Sequence, residues 1–146
     1  MLESLGIGPS AILLPVISLV IWTMIMQFWM IATRLPAISA AKLGPEAGQR
    51  TVELAAQLPK EVQWKADNYN HLMEQPTVFY ALVLALALAG LGDDLNTGLA
   101  WLYVASRVVH SIVQSTNNNV LVRFSLFSLG SVTIVVMAVR GALALI

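Results

Sequence analysis

Long apolar runs leave this chain few ways to fold. A membrane-crossing helix needs about 20 predominantly apolar residues, and four segments approach or meet that need: Ala11–Ala32, Pro76–Leu91, Thr97–Val113 and Val120–Ile146. The second is short, but it extends backwards. Pro59 suits the first turn of a helix, and Lys60–Glu74 can continue helically towards Pro76. That predicts one long helix, amphipathic at first, with a kink near Pro76. The expectation is an all-α integral membrane protein, a bundle of four transmembrane helices forming a single domain over residues 1–146.

Composition agrees. Of 146 residues, 58% are hydrophobic and only 11% charged, outside the ordinary range of soluble domains. Formal net charge is zero and no basic tract occurs, which argues against nucleic acid as a partner. The chain has no cysteine, so disulfides, thiolate metal sites and a cysteine nucleophile are excluded. His71 and His110 lie on different spans and no EXXH-type motif is present, so no metal site is expected. The leader Met1–Ser10 contains Glu3 but no Lys or Arg, unlike a signal-peptide n-region, so the first run is expected to be a retained span.

The only sizeable polar segment is Thr33–Gln75. Pro36, Gly44-Pro45 and Gly48 mark turns there, followed by a short helix over Gln49–Leu58. This first loop holds Arg34, Lys42, Arg50, Lys60 and Lys65, and Arg123 follows the third connection; the amino-terminal tail and the Gly92–Asn96 link hold neither Lys nor Arg. The positive-inside rule then places loops one and three in the cytoplasm and both termini on the other side.

On that topology the ionisable residues of the apolar segments converge. Arg34 ends span one, Glu74 introduces span two, Arg107 and His110 occupy the second half of span three, and Arg123 begins span four. All fall in one leaflet, while Arg140 alone lies at the opposite end, where an interfacial anchor explains it. A charge at the bilayer centre costs about 2.5–3.5 kcal/mol on insertion scales, so such residues face a partner, a cavity or a ligand. Asp67, His71 and Glu74 share one helical face, with Asn70 beside them. Arg107, His110 or Ser111, and Gln114 form a second stripe on span three. Asn117-Asn118-Asn119 reads as a turn, and Ala85-xxx-Ala89 and Ala138-xxx-Ala142 are small-xxx-small helix-contact patterns.

Three stretches together resemble the MAPEG family, the membrane-associated proteins in eicosanoid and glutathione metabolism. Asn68-Tyr69-Asn70-His71-Leu72-Met73-Glu74-Gln75-Pro76-Thr77-Val78-Phe79-Tyr80 is similar to its second-span signature. Ala100–Ser111, with Arg107-x-x-His110, is similar to the third-span signature, and Asn118–Phe124 to the start of span four in bacterial members. The resemblance implies a homotrimer, in a bacterial inner membrane, with glutathione bound between protomers near the cytoplasmic face. Many members are glutathione transferases, peroxidases or eicosanoid synthases, and one branch binds lipid without catalysis.

Carried over by motif, Glu74, Arg107 and His110 hold glutathione, joined by Asn70, His71 and Gln114 of the same stripes. Arg123 matches the span-four Arg that stabilises the thiolate, and Arg34 the basic residue ending span one. The implied activity is that of a glutathione-dependent membrane enzyme, transferase or peroxidase, acting on a small lipophilic electrophile that arrives through the lipid. The alternative is a non-catalytic lipid- or partner-binding protein. The chain departs from the pattern where His71 stands in place of an Asn three residues before the Glu, and where Gln114 replaces a Tyr.

Overall fold

The computed structural model describes residues 10–146. The tail that enters the orientation argument, with Glu3, therefore lies outside the described residues. Six α-helices follow in order: α1 (Leu13–Ala40), α2 (Thr51–Ala56), α3 (Lys60–Leu72), α4 (Gln75–Leu88), α5 (Asp94–Thr116) and α6 (Val120–Leu145), with a 3-10 turn at Pro45–Gly48 between α1 and α2. Among the described residues there is no strand.

Three segments are long and apolar enough to cross a membrane: Leu13–Ala40, Lys60–Leu88 (α3 with α4) and Val120–Leu145. The fourth long helix, α5, has 23 residues but is more polar. Its polar side chains turn inward, while Trp101, Leu102, Val109 and Ile112 stand on its outer face.

Helix ends follow local chemistry. Gly90, at φ 71°, ends α4, with the Gly90 N–H donating to Ala87 O and the Leu91 N–H to Leu86 O; this left-handed ending favours glycine. Lys42 and Asn118, both at φ 54°, end α1 and α5. Asp93 caps α5 by accepting from the Asn96 N–H at 2.8 Å, and Asn119 caps α6 by accepting from the Val122 N–H at 3.1 Å. The asparagine run is thus a turn with two structural jobs, ending one helix and starting the next.

Two expectations need correction. Pro36 does not mark a turn: α1 runs through it for 28 residues, to Ala40. Proline removes one helical donor but keeps a helix-compatible φ, and the helix resumes with Ala37 and Ile38 half-buried. The expected kink near Pro76 is a break in the helix two residues earlier, at Glu74. Met73 N–H and Glu74 N–H donate three residues back, to Asn70 O and His71 O, and Glu74 itself leaves helical geometry at φ −88°, ψ −97°. Pro76 then sits in the first turn of α4, where its missing N–H costs nothing.

The interior is striped at helical spacing. Ile12, Leu19 and Met26 of the α1 segment, Leu72 of α3, Phe79, Val83 and Leu86 of α4, Ala100, Tyr103 and Val104 of α5, and Ile134 and Met137 of α6 form one apolar core. Tyr103 stacks on Phe79 with ring centroids 4.3 Å apart. The small-residue contacts inside the bundle are made by glycines. A Cβ on Gly130 would lie 3.1 Å from Ser106 Oγ and 3.2 Å from Tyr103 Cε2, and one on Gly141 2.7 Å from Leu86 Cδ2. The two alanine pairs singled out from the sequence, at 85/89 and 138/142, instead lie on exposed faces of the protomer.

At one end of the bundle Arg140 is more than an anchor. Its Nη2 donates to Asp93 Oδ2 at 2.9 Å and its Nε to Asn96 Oδ1 at 3.0 Å. This clasp ties the end of α6 to the start of α5.

Candidate functional site

Along α5 the buried stripe changes character. Ala100, Tyr103 and Val104 are apolar or aromatic, but from Ser106 onward the buried residues are Ser106, Arg107, His110, Ser111, Gln114 and Ser115. Helical periodicity carries the same face forward, so the interior passes from apolar core to polar site within one helix.

Arg107 is the centre of this half. It is only 1% exposed. Its Nη1 meets His71 Nε2 at 3.2 Å, and the other imidazole nitrogen, Nδ1, meets Glu74 Oε2 at 3.0 Å. Its guanidinium carbon lies 5.2 Å from the Tyr103 ring and 5.1 Å from the Phe127 ring, so cation–π attraction partly replaces lost hydration. The His71 ring stacks on His110 at 4.8 Å and lies 5.8 Å from Phe127. Glu74 therefore meets neither Arg107 nor Arg34 directly; His71 stands between the carboxylate and the guanidinium. The Glu74 side chain is 69% exposed, free on its outer side to meet another group.

Beside this chain of contacts opens a pocket of about 220 Å³ lined by His71, His110, Val120, Arg123, Phe124 and Phe127. One part of its wall is polar and cationic, and the rest is the apolar start of α6. Arg123 is held in place by its Nη1 donating to Asn118 Oδ1. The α3–α4 break, the α5 stripe and the α6 start converge on one small volume.

His71, Glu74, Arg107, His110 and Arg123 are thus brought together, and Gln114 is buried one turn beyond His110. Asp67 shares their sequence face but is exposed and accepts from Gln63 Nε2 at 2.8 Å. Asn70 is exposed as well. Arg34 is half-buried on α1, outside the pocket lining. Phe127, one turn after Arg123, is a site residue that the charge pattern did not reveal; its i+4 spacing from Arg123 was the available signal. Gln75 was missed too: it donates to Ser131 Oγ at 2.8 Å and accepts from the Tyr103 hydroxyl at 3.4 Å, fixing the first turn of α4 against α5 and α6.

The site and the α3–α5 interface next to it are not internally satisfied. Arg107 Nε and Nη2, Asn68 Oδ1 and Nδ2, Ser111 Oγ, Gln114 Oε1, Ser115 Oγ and Arg123 Nε are buried without a partner among the described residues. Each such group left unmet costs about 1–3 kcal/mol.

Fold and site together define an all-helical membrane protein whose interior is polar at one end, with a guanidinium, two imidazoles and an apolar wall facing one pocket. The family model described as MAPEG family matches residues 12–143, and the chain belongs to that family. Neither the curated proteins nor the solved structures gave a match. Membership places the chain among membrane proteins of glutathione and eicosanoid metabolism in general.

Proposed function

We propose that this protein is a glutathione-dependent membrane enzyme, of transferase or peroxidase type, acting on a lipophilic electrophile. The observation that carries the reading is the two-sided pocket: Arg123 with His71 and His110 on one part, Val120, Phe124 and Phe127 on the other. A free thiol has a pKa of about 8.5 and loses its proton more readily beside a cation. Arg123 is the cation available at the pocket wall and stabilises the thiolate. In a water-poor site that attraction strengthens. In the transferase reaction the thiolate sulfur bonds to the electrophilic carbon, and the leaving group departs with the bonding pair. Arg107 and Glu74 orient the tripeptide's polar ends, through a guanidinium suited to carboxylates and a carboxylate suited to an ammonium. His110 and Gln114 complete that polar wall, with Asn70 and Arg34 available where a second protomer docks.

A pocket of about 220 Å³ falls below the roughly 300–1,000 Å³ of sites that enclose drug-sized ligands. That supports a site completed by a neighbouring protomer, and a homotrimer is the assembly proposed. The apolar outer face of α5 supports its role as a fourth span.

The test is calorimetric titration of glutathione into the assembled oligomer, followed by conjugation of a model aryl halide. Binding heat and turnover are expected, with turnover reduced about tenfold or more in Arg123→Ala, the effect of one lost pKa unit of thiolate stabilisation. Unchanged turnover in that variant removes Arg123 from the mechanism. A folded oligomer that gives no heat and no turnover favours the non-catalytic, lipid-binding reading. That second reading is supported by His71, which already occupies one Arg107 nitrogen.

A further inference from the structure

The α3–α5 interface also contains Asn68, Ser111 and Ser115, buried polar residues for which the proposed function has no use. Two contacts fix its register. Lys65 Nζ donates to Ser115 O at 3.2 Å, and Arg107 Nη1 meets His71 Nε2 at 3.2 Å. The helices therefore run antiparallel, and midway between these rungs lie Asn68 on α3 and Ser111 on α5. Asn68 is 0% exposed and so is Ser111. Neither side chain has a partner among the described residues, and the same holds for Ser115 Oγ, Gln114 Oε1 and Arg107 Nε and Nη2.

The serines are informative. Ser106 and Thr116 on the same helix donate to their own helix carbonyls, Tyr103 O and Ile112 O, at 2.7 Å each. Hydroxyls in helices commonly settle this way. Ser111 and Ser115 do not, so their hydroxyls remain available to something in the seam.

The chemistry selects the occupant. The seam offers amide and hydroxyl groups of both senses and no carboxylate, and the charges at its two ends, Lys65 and Arg107, are both cationic. A metal cation is disfavoured by that field. Buried water, which takes two to four hydrogen bonds from mixed donors and acceptors, fits it. We propose that the α3–α5 seam holds a file of ordered waters from Lys65 to Arg107, giving the buried guanidinium a proton-exchange route to the loop-one end of the bundle, separate from the pocket mouth. Water and serine hydroxyls each donate and accept, so a proton entering at one end is matched by one released at the other. This goes beyond the proposed function and holds whether or not glutathione binds.

The test uses glutathione-free, full-length protein in lipid vesicles. In water-edited solid-state NMR, the Asn68 and Ser111 side chains are expected to gain polarisation from water several-fold faster than Phe79 and Met137 of the apolar core. Replacing Asn68 with Leu, or Ser111 with Ala, is expected to slow solvent exchange of the Arg107 Nε–H several-fold and to lower the melting temperature. Build-up as slow as in the core, unaltered Arg107 exchange in both variants, or a rise in melting temperature would overturn the proposal, because apolar replacement relieves a dry seam. Melting that depends on chloride, tested against gluconate, would also overturn it and point to a bound anion.

Discussion

Removing the His71 imidazole separates two charged side chains from the group they share. In His71→Leu, the Arg107 guanidinium loses its contact with the imidazole and stays buried, so a loss of about 1–3 kcal/mol is expected in chemical or thermal unfolding. Glu74→Gln should cost under about 1 kcal/mol, because that carboxylate is mostly exposed and its ion pair is of the surface kind. Equal losses in the two variants would contradict the order of burial. Arg107, His110 and Glu74 were legible in the sequence because charge inside an apolar run is conspicuous. The choice between Asn68 and Asn70 was not. Two positions along a helix differ by about 200° of rotation, and which one turns inward depends on how α3 packs between α1 and α5.

At the scale of elements, α6 approaches α5 through a glycine. Gly130→Val should destabilise the protein by about 1–3 kcal/mol, the usual result of forcing extra carbon into a packed interface, since even a Cβ lies 3.1 Å from Ser106 Oγ. Thermal unfolding in detergent measures it. The clasp at the other end of the bundle is a pH probe. The Asn96 backbone N–H, and then the Arg140 pair, hold the Asp93 carboxyl below its ordinary value. A group with a depressed folded pKa contributes stability above its unfolded value, about 3.9, and loses it as pH falls through the lower folded one. An acid limb in melting temperature is therefore expected below about pH 4, and Asp93→Asn, which keeps the capping oxygen but not the charge, should flatten that part of the limb. The sequence revealed the existence and order of these helices through their apolar runs. It was less informative about their ends: Gly92–Asn96 reads as a link, acidic through Asp93 and Asp94, but α5 starts within it at Asp94 under the Asp93 cap, and Pro36 reads as a turn but lies inside α1.

For the whole molecule, the proposed orientation and assembly are accessible to one set of reagents because the natural chain has no cysteine. A single cysteine introduced at Gln49 should react with a membrane-impermeant maleimide only from the cytoplasmic side, and one at Asp94 only from the opposite side. The reverse pattern rejects the orientation. Mass measurement of the detergent-solubilised protein should give three copies of the 15.8 kDa chain; a monomer that still turns over substrate would show that the pocket needs no neighbour. The gathering of Glu74, Arg107, His110 and Arg123 could be read from the sequence once the spans were assigned, whereas the Arg140–Asp93 pair at the opposite end could not. The shared pocket could not, since it depends on the phase of three helices at once.

The interruption at Glu74 has a consequence for how the protein can be altered. A continuous helix transmits any insertion as rotation, about 100° per residue, so one added residue in the membrane would swing His71 away from Arg107. Here α3 and α4 are separate rods joined at a non-helical residue, and Gln75 pins the second rod to Ser131 and Tyr103. A residue inserted within α4 would therefore turn Phe79, Val83 or Leu86 relative to the core while the His71–Arg107 contact keeps its bearing.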